Sequence, residues 1–143
     1  MFGGEEATLV TSAAPTRTLP RPDLEAHRES LSKSFPELVA WLAGAIGRKL
    51  TAYVANVKDV RTVDRWTKGI GMPYGDAEPR LRFTFQVVRT LTEYDSPQVV
   101  QAWLMGVNPE LGDRVPVRLL REGDLNIIAP EVLGAMRAFI AGG

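Results

Sequence analysis

The sequence predicts an all-α protein: a small helical chain with an N-terminal helix-turn-helix-like part and a C-terminal helical part. Apolar residues recur at three- and four-residue spacing along most of the chain, which is the spacing of one helix face. Ser and Asp stand where helices would begin, and Gly stands where they would end. The cleanest strand-like alternation lies in residues 80–94, and a lone strand would leave its edges unpaired.

Composition sets the outer limits on size and chemistry. The chain has 143 residues, 45% of them hydrophobic, with no cysteine and one histidine, His27. One ordinary core, or two small ones sharing an interface, fits this length. Disulfides and cysteine-based zinc sites are excluded, and Ser/His/Asp or His-rich metal sites lack the residues they need. We therefore expect no catalytic residues, no metal and no cofactor.

The beginning of the chain does not have the pattern of a secretory signal. MFGGEEATLV carries acids where such a signal would carry Lys or Arg. The longest uninterrupted apolar run, LVAWLAGAI, is about half of the ~18 residues that a transmembrane helix needs. These features predict a cytoplasmic protein that does not contact a membrane.

Charge is unevenly distributed although the formal net charge is zero. Residues 48–89 carry nine basic and four acidic groups, a net of +5, whereas residues 1–47 and 90–143 have net charges of −2 and −3. A basic block suits a polyanion, because Lys and Arg that neutralise phosphates release condensed counterions. A solvated surface with its opposite charges elsewhere in the fold would give the same count, so both interpretations stay open.

The N-terminal third is predicted to contain a polar start followed by two helices. Residues 1–34 are assigned to a flexible tail and a weak helix, because they are rich in Pro, Gly, Ser and Thr. FPELVAWLAGAIG then places Leu38, Trp41 and Leu42 on one face and ends at Gly47. RKLTAYVANV repeats this spacing over about two and a half turns.

Residues 35–79 are predicted to form a helix-turn-helix-like domain. Asp59 can cap a further helix, whose apolar stripe comprises Val63 and Trp66 with either Val60 or Ile70. Two short helices joined by a turn can lay the second helix in a major groove. The residues expected to contact DNA are Lys58, Arg61, Thr62, Arg65 and Lys68.

One residue of this predicted recognition helix has the wrong charge for DNA. Asp64 faces partly the same way as the basic residues and would repel phosphate. Pairing with Lys68, four residues later, could neutralise it. Any αα-hairpin with a charged rim has the same spacing, so this alternative to DNA binding stays open.

The remainder of the chain predicts a loop and four more helical segments. Residues 69–79 are rich in Gly and Pro and predict a loop, and RLRFTFQVVRTLTEY is assigned to a helix. SPQVVQAWLMG is a helix capped by its serine and ended by its glycine. NPELGDRVP is a pair of turns, VRLLREG is a short helix, and a last helix is predicted to begin at Pro130.

Several residue types stand at fixed spacing in the last third of the chain. They are Trp103-Leu104, Asn108-Pro109, Leu111-Gly112, Pro116, Leu119-Leu120 and Gly123, followed by a helix ending in glycine. This series resembles the toxin-binding domain of the Xre/MbcA/ParS antitoxin family, to which residues 80–143 are assigned. The resemblance covers roughly residues 36–143. It is strongest over 103–123 and weaker in the helix-turn-helix, whose turn is one residue longer than the common pattern.

The resemblance implies an antitoxin of a type II toxin-antitoxin system. Proteins of this family are small and all-helical, they pair with RES-domain toxins that consume NAD, and many repress their own operon. The chain is then expected to be no enzyme, to occlude the active site of a cognate RES-type toxin, and to bind operator DNA. A homodimer that forms a hetero-oligomer with the toxin is the expected assembly.

The turns and the C-terminal segment are the expected toxin contacts. Trp103, Leu104, Leu119 and Leu120 are more typical of a helical core. In family members that block RES-type toxins, the antitoxin C-terminus approaches the NAD pocket, and glycines leave a chain free to follow a cleft. The candidates are Asn108, Pro109, Glu110, Asp113, Arg114, Arg137, Phe139, Ile140, Gly142 and Gly143.

Two other functions are compatible with the sequence. The first is a stand-alone helix-turn-helix transcriptional regulator, in which residues 90–143 serve only for dimerisation. The second is an interaction module whose helical hairpin has lost DNA binding, which Asp64 and the long turn favour.

Overall fold

The computed structural model describes residues 21–142, and within this range it confirms the all-α prediction. Eight α-helices and one 3₁₀ turn follow one another there, without a strand. The elements are α1 (Pro22–Ser32), α2 (Phe35–Ile46), α3 (Arg48–Ala55), α4 (Val60–Thr67), α5 (Ala77–Leu91), α6 (Pro97–Met105), the 3₁₀ turn (Pro109–Leu111), α7 (Pro116–Glu122) and α8 (Leu125–Gly142).

Helix α5 lies at the centre of the hydrophobic core. It contacts α1, α2, α3, α7 and α8, and its Leu81 and Phe85 are fully buried. The Trp41 ring of α2 meets Phe85 edge-on, with 5.0 Å between ring centroids and an interplanar angle of 66°. The apolar cluster includes residues from both sides of position 79. The two predicted parts therefore share one core.

The central position of α5 explains why its sequence resembles a strand. The helix is contacted by five other helices, so its apolar face is broad and includes Leu81, Phe83, Phe85 and Val87, which produce an incidental alternation. Its two buried threonines donate their hydroxyls to backbone carbonyls four residues earlier, Thr84 to Arg80 and Thr90 to Gln86. These bonds satisfy polar groups that burial would otherwise penalise. The helix assignment of this segment is confirmed.

Side-chain caps begin three of the helices as the sequence indicates. Ser34 accepts a hydrogen bond from the Glu37 backbone N–H at the start of α2 and donates its hydroxyl to the Glu37 carboxylate. Asp59 accepts from the Arg61 backbone N–H at the start of α4, and Ser96 accepts from Val99 at the start of α6. The caps predicted at Asp59 and Ser96 are confirmed.

Helix α1 is fastened to α5 mainly by polar contacts. Its buried residues are small, Ala26 and Ser30. Arg82 of α5 donates to the carbonyls of Ser30 and Lys33 at 2.9 and 2.8 Å, which satisfies acceptors at the end of α1. The weak helix predicted within residues 1–34 is thus present, while residues 1–20 of the predicted tail lie outside the described residues.

The last helix begins earlier than predicted, at Leu125, and Pro130 lies inside it. The predicted start at Pro130 is wrong because Asp124 provides the cap, accepting from the Asn126 backbone N–H at 3.0 Å. The early start also buries Ile128. Pro130 itself is exposed. A proline inside a helix removes one backbone hydrogen bond, and burial of this added turn offsets that loss.

Helix α8 is also long and apolar by composition. Its 18 residues have a mean hydropathy of 1.3, enough in length and composition to cross a membrane, and 22% of the stretch is buried in the protein. Ile128, Val132, Ala135 and Met136 are its core-facing residues. The predicted absence of membrane contact was based on the shorter run in α2, and it stays a prediction.

Candidate functional site

Helices α3 and α4 form the helix pair predicted within residues 35–79. Asn56 ends α3 in the left-handed conformation, with φ at +60°, and its backbone N–H donates to the Tyr53 carbonyl at 3.1 Å. Val63 and Trp66 of α4 are buried, and the Trp66 ring lies edge-on to Phe35 at 5.5 Å. Ile70 is 52% exposed and does not continue the stripe. The pair of helices is confirmed, whereas the helix-turn-helix assignment stays a prediction.

The predicted DNA-contacting residues differ in how available their charges are. Lys58, Arg65 and Lys68 are exposed, and Thr62 is half-buried. Arg61 is exposed but donates from Nε and Nη2 to Asp59 Oδ2 at 2.9 and 2.7 Å. These side-chain hydrogen bonds, with one from the Arg61 backbone, lower the pKa of Asp59 to about 2. The carboxylate therefore stays charged and offsets Arg61.

Asp64 is neutralised by a different partner from the one predicted. Arg48 of α3 donates to its two carboxylate oxygens at 2.8 and 2.6 Å, so the predicted pairing with Lys68 is wrong. A guanidinium fork matches a carboxylate with two hydrogen bonds, whereas a lysine ammonium acts as a point charge. The hydrogen bonds from Arg48 hold the pKa of Asp64 below its ordinary value. This contact fixes α3 against α4.

Ion pairs within residues 48–89 show where the net positive charge of this segment lies. Its four acidic residues each pair with an arginine of the same segment, and Arg89 pairs with Glu29 and Glu93 outside it. Four basic residues of the segment make no ion pair with any residue in the described range: Lys49, Lys58, Arg65 and Lys68. The positive charge that is free of ion pairs within the described range thus lies on four of the nine basic residues of this segment.

The predicted toxin-binding turn is a tight loop, and the mostly buried Asn108 holds it together by hydrogen bonds. Asn108 is 8% exposed, and its side chain accepts from the Glu110 backbone N–H at 2.9 Å. Its backbone N–H and C=O bond to Arg114 and Asp113 at 3.0 and 2.9 Å. Asn108 therefore holds the loop in shape. Although mostly buried, it also lines the groove described below, so its contact with a toxin stays a prediction. Leu111, also buried, anchors the loop to the core.

The loop presents the other candidates of the turn to solvent. Pro109, Glu110, Asp113 and Arg114 are exposed. Gly112 and Asp113 are successive residues with positive φ, +65° and +64°. Glycine adopts this conformation at no steric cost and Asp tolerates it better than most residues, so this turn requires such residues there.

A shallow groove joins the turn to α8. It has a volume of about 310 Å³, and its lining includes Trp103, Pro109, Glu110, Ala138 and Phe139. The Trp103 and Phe139 rings lie 6.3 Å apart, measured between centroids. The fold therefore brings candidates from the turn and from the last helix to one surface.

An ion pair holds the turn against α8. Arg114 donates from Nη2 to Glu131 of α8 at 3.0 Å and from Nε to the Leu111 carbonyl at 2.6 Å. Both ends of this bridge are about half exposed, so it stabilises the arrangement only modestly. Its main effect is to orient the turn relative to the helix.

The assignment of four residues to the core is confirmed for two of them. Leu104 and Leu120 are fully buried, while Trp103 and Leu119 are half-buried. Trp103 reaches the groove, and the sequence contained no signal for this, since helical spacing alone does not separate a core tryptophan from one at the rim.

The C-terminal candidates belong to α8 as far as the structure describes them. Arg137 is exposed, Phe139 and Ile140 are half-buried against the core, and the helix continues to Gly142. The predicted helix ending in glycine is therefore confirmed as far as Gly142, and Phe139 and Ile140 extend the apolar face of α8. Gly143 lies outside the described residues.

Residues 21–142 contain no group of three or more His, Asp or Glu side chains placed to hold a metal ion. The histidine, His27, is exposed on α1, with Nδ1 lying 3.2 Å from the Gln86 side-chain oxygen.

Comparison of the chain with protein-family models, curated proteins and solved structures finds no match. The antitoxin assignment consequently rests on the residue series from Trp103 to Gly123.

Proposed function

We propose that this protein is an antitoxin that binds a cognate RES-type, NAD-consuming toxin and occludes its active site. The residue series from Trp103 to Gly123 carries the proposal, and the groove between the turn and α8 is the surface that would make the contact. Its lining combines Pro109 and Glu110 from the turn with Phe139 from the last helix, and the sequence predicts a toxin contact at all three.

The groove has the composition of a protein-binding surface. Trp103 and Phe139 provide an aromatic floor, and Glu110 lies at its exposed side. Aromatic residues at the centre with a polar rim are typical of protein interfaces. The loop is held by hydrogen bonds and by a buried leucine. Such a preformed loop loses little conformational entropy on binding.

Neutralisation through this surface requires contact and no chemistry from the antitoxin. A protein bound over a catalytic cleft excludes substrate by occupying the space. Because residues 139–142 are helical, the end of α8 would reach the toxin as a helix together with the turn.

Co-expression with the product of the neighbouring gene tests the proposal. The wild-type chain is expected to restore growth and to co-purify with the toxin. Ala102→Arg places a long charged side chain at the exposed edge of the groove and should abolish both effects. Ala40→Arg makes the same change at an exposed position of α2, away from the groove, and should leave both effects intact.

Two outcomes would contradict the proposal. Failure of the wild-type chain to restore growth or to co-purify would remove the antitoxin function and favour the stand-alone regulator. Full rescue by Ala102→Arg would show that the toxin binds elsewhere. Thermal melting of both variants shows whether either substitution unfolds the chain.

We also propose that the chain binds operator DNA through α4. The supporting observation is the exposure of Arg65 and Lys68 at the end of this helix, where neither makes an ion pair with another described residue. DNA binding of this kind would be shared with the stand-alone regulator, and only toxin co-expression separates the two functions.

A further inference from the structure

A basic groove lies between α3, α4 and α7, away from the surface proposed to bind the toxin. It has a volume of about 690 Å³, within the range of small-molecule sites. Lys49, Lys58 and Arg121 line it, and no acidic residue is among the described residues of its lining. Three cations thus face one cavity from two separate stretches of the chain.

The two lysines of this groove are available to a ligand. Both are exposed, and neither forms an ion pair with a residue in the described range. The nearest acid in sequence is Asp59, which is occupied by two hydrogen bonds from the Arg61 side chain and one from its backbone. A ligand would therefore not need to displace a carboxylate from either lysine.

Arg121 is fixed in position at the same groove. Its guanidinium carbon lies 4.4 Å from the centroid of the Tyr53 ring, and Nη1 donates to the Tyr53 carbonyl at 3.0 Å. That carbonyl also accepts from the Asn56 backbone N–H at 3.1 Å. The Tyr53 carbonyl, at the negative C-terminal end of α3, therefore has two hydrogen-bond donors. A guanidinium has five N–H donors, and among the described residues Arg121 makes no other hydrogen bond.

The rest of the lining is apolar. Ala52, Val57 and Val60 contribute to it beside the cations. This combination fits a ligand with an anionic group and a flat apolar part. Lysine and arginine are common protein partners of phosphate, and a nucleotide unit combines a phosphate with a flat base.

We propose that this groove binds a phosphate-bearing ligand of the nucleotide class, with the phosphate held by Lys49, Lys58 and Arg121. The phosphate can belong to a free nucleotide or to the backbone of a nucleic acid. The site is independent of the proposed toxin surface, since the two linings share no residue.

Titration of the full chain with ADP and with a 20-base-pair DNA duplex tests the site and identifies the source of the phosphate. Calorimetry measures ADP binding, and fluorescence anisotropy measures duplex binding over a range of salt concentrations. The double variant Lys49→Gln, Lys58→Gln removes two charges from exposed positions. Arg121 is left unchanged because it also contacts the end of α3. Lys33→Gln removes a lysine charge outside the groove and is the matched control.

The double variant is expected to weaken ADP binding at least about tenfold, since it removes two charge-assisted contacts to the phosphate. If the phosphate belongs to a nucleic acid, the slope of log K against log salt is negative, and its magnitude should decrease by about 1.8 for two lost phosphate contacts. Lys33→Gln should change neither quantity. Binding of ADP alone identifies a free nucleotide. Because Lys58 is also a predicted operator contact, the nucleic-acid backbone is identified by a duplex slope that Lys49→Gln alone changes, without ADP binding.

Two results would overturn the proposal. One is the absence of saturable binding of both probes by the wild-type chain. The other is binding that the double variant leaves unchanged. Duplex binding that depends on Arg65 and Lys68 but not on Lys49 and Lys58 would support operator binding by α4 while rejecting this site, so the two proposals fail separately.

Discussion

Individual side chains decide how much positive charge α4 can present to DNA. Arg61 is held by Asp59, and Asp64 is held by Arg48. Both pairs lie at the surface, where ion pairs are weak and screened by salt, yet the first places a carboxylate beside Arg61, a cation that was predicted to face phosphate. Arg65 makes no ion pair with a described residue, and only a weak charge attraction links it to Asp59.

Replacing Arg65 by alanine should therefore weaken DNA binding more than replacing Arg61. Removal of Arg61 frees a negative Asp59 but removes a charge that was already offset, whereas removal of Arg65 takes away an unpaired cation. A mobility shift on the promoter fragment, measured for both single variants at two salt concentrations, provides the comparison. Equal or reversed effects would show that Arg61 leaves Asp59 when DNA binds.

At the level of elements, the junction of α7 and α8 depends on a close approach at Gly123. A Cβ added there would lie 2.7 Å from Ile128 Cγ2 and 2.8 Å from the Leu119 carbonyl oxygen. Its φ of −76° is ordinary, so the glycine is required by space and not by backbone conformation. Ile128 can approach this closely only because α8 begins at Leu125.

Gly123→Ala is expected to destabilise the protein by about 1–3 kcal/mol, the usual effect of overpacking a well-filled site. Gly134→Ala is the matched control, because a Cβ there meets nothing within 4 Å. Inside α8 it should stabilise by roughly 0.5–1 kcal/mol through helix propensity. Urea unfolding of both variants measures the two changes. A neutral Gly123→Ala would mean that Ile128 moves aside without loss of packing.

For the molecule as a whole, the end of α8 packs into the hydrophobic core and also forms part of the proposed toxin surface. Met136 is 1% exposed, and Phe139 contacts Trp103. α5 and the 3₁₀ turn both contact α8. Removal of the last turns of α8 therefore changes the packing of the molecule together with its binding surface.

Truncation after Ala135 should lower stability substantially, because loss of a buried methionine alone costs about 2–5 kcal/mol out of a typical total of roughly 5–15 kcal/mol. Removal of only residues 142–143 should leave stability within about 0.5 kcal/mol, as for other surface changes. Circular dichroism melting measures both. A cooperative melt of the longer truncation at the wild-type temperature would show that α8 beyond Ala135 contributes little to the core.

Local sequence determined most of the helices. Apolar spacing and capping residues act over three or four positions, which is why α2, α3, α4 and α6 follow from the residues within them. The start of α8 was missed because Pro130 is a strong local signal for a helix start, whereas the burial of Ile128 that overrides it depends on α7. The antitoxin function was predicted from the series between Trp103 and Gly123, and it remains a proposal.

Only the tertiary structure decided which charges are paired and which surfaces exist. Arg48 and Asp64 are 16 residues apart, and Arg121 reaches Tyr53 across 68 residues. Helical periodicity has no information on contacts at such separations, because they depend on how helices cross. The groove between the turn and α8, and the basic groove between α3, α4 and α7, exist for the same reason: each is formed by elements that are distant in sequence and adjacent only after the shared core has formed.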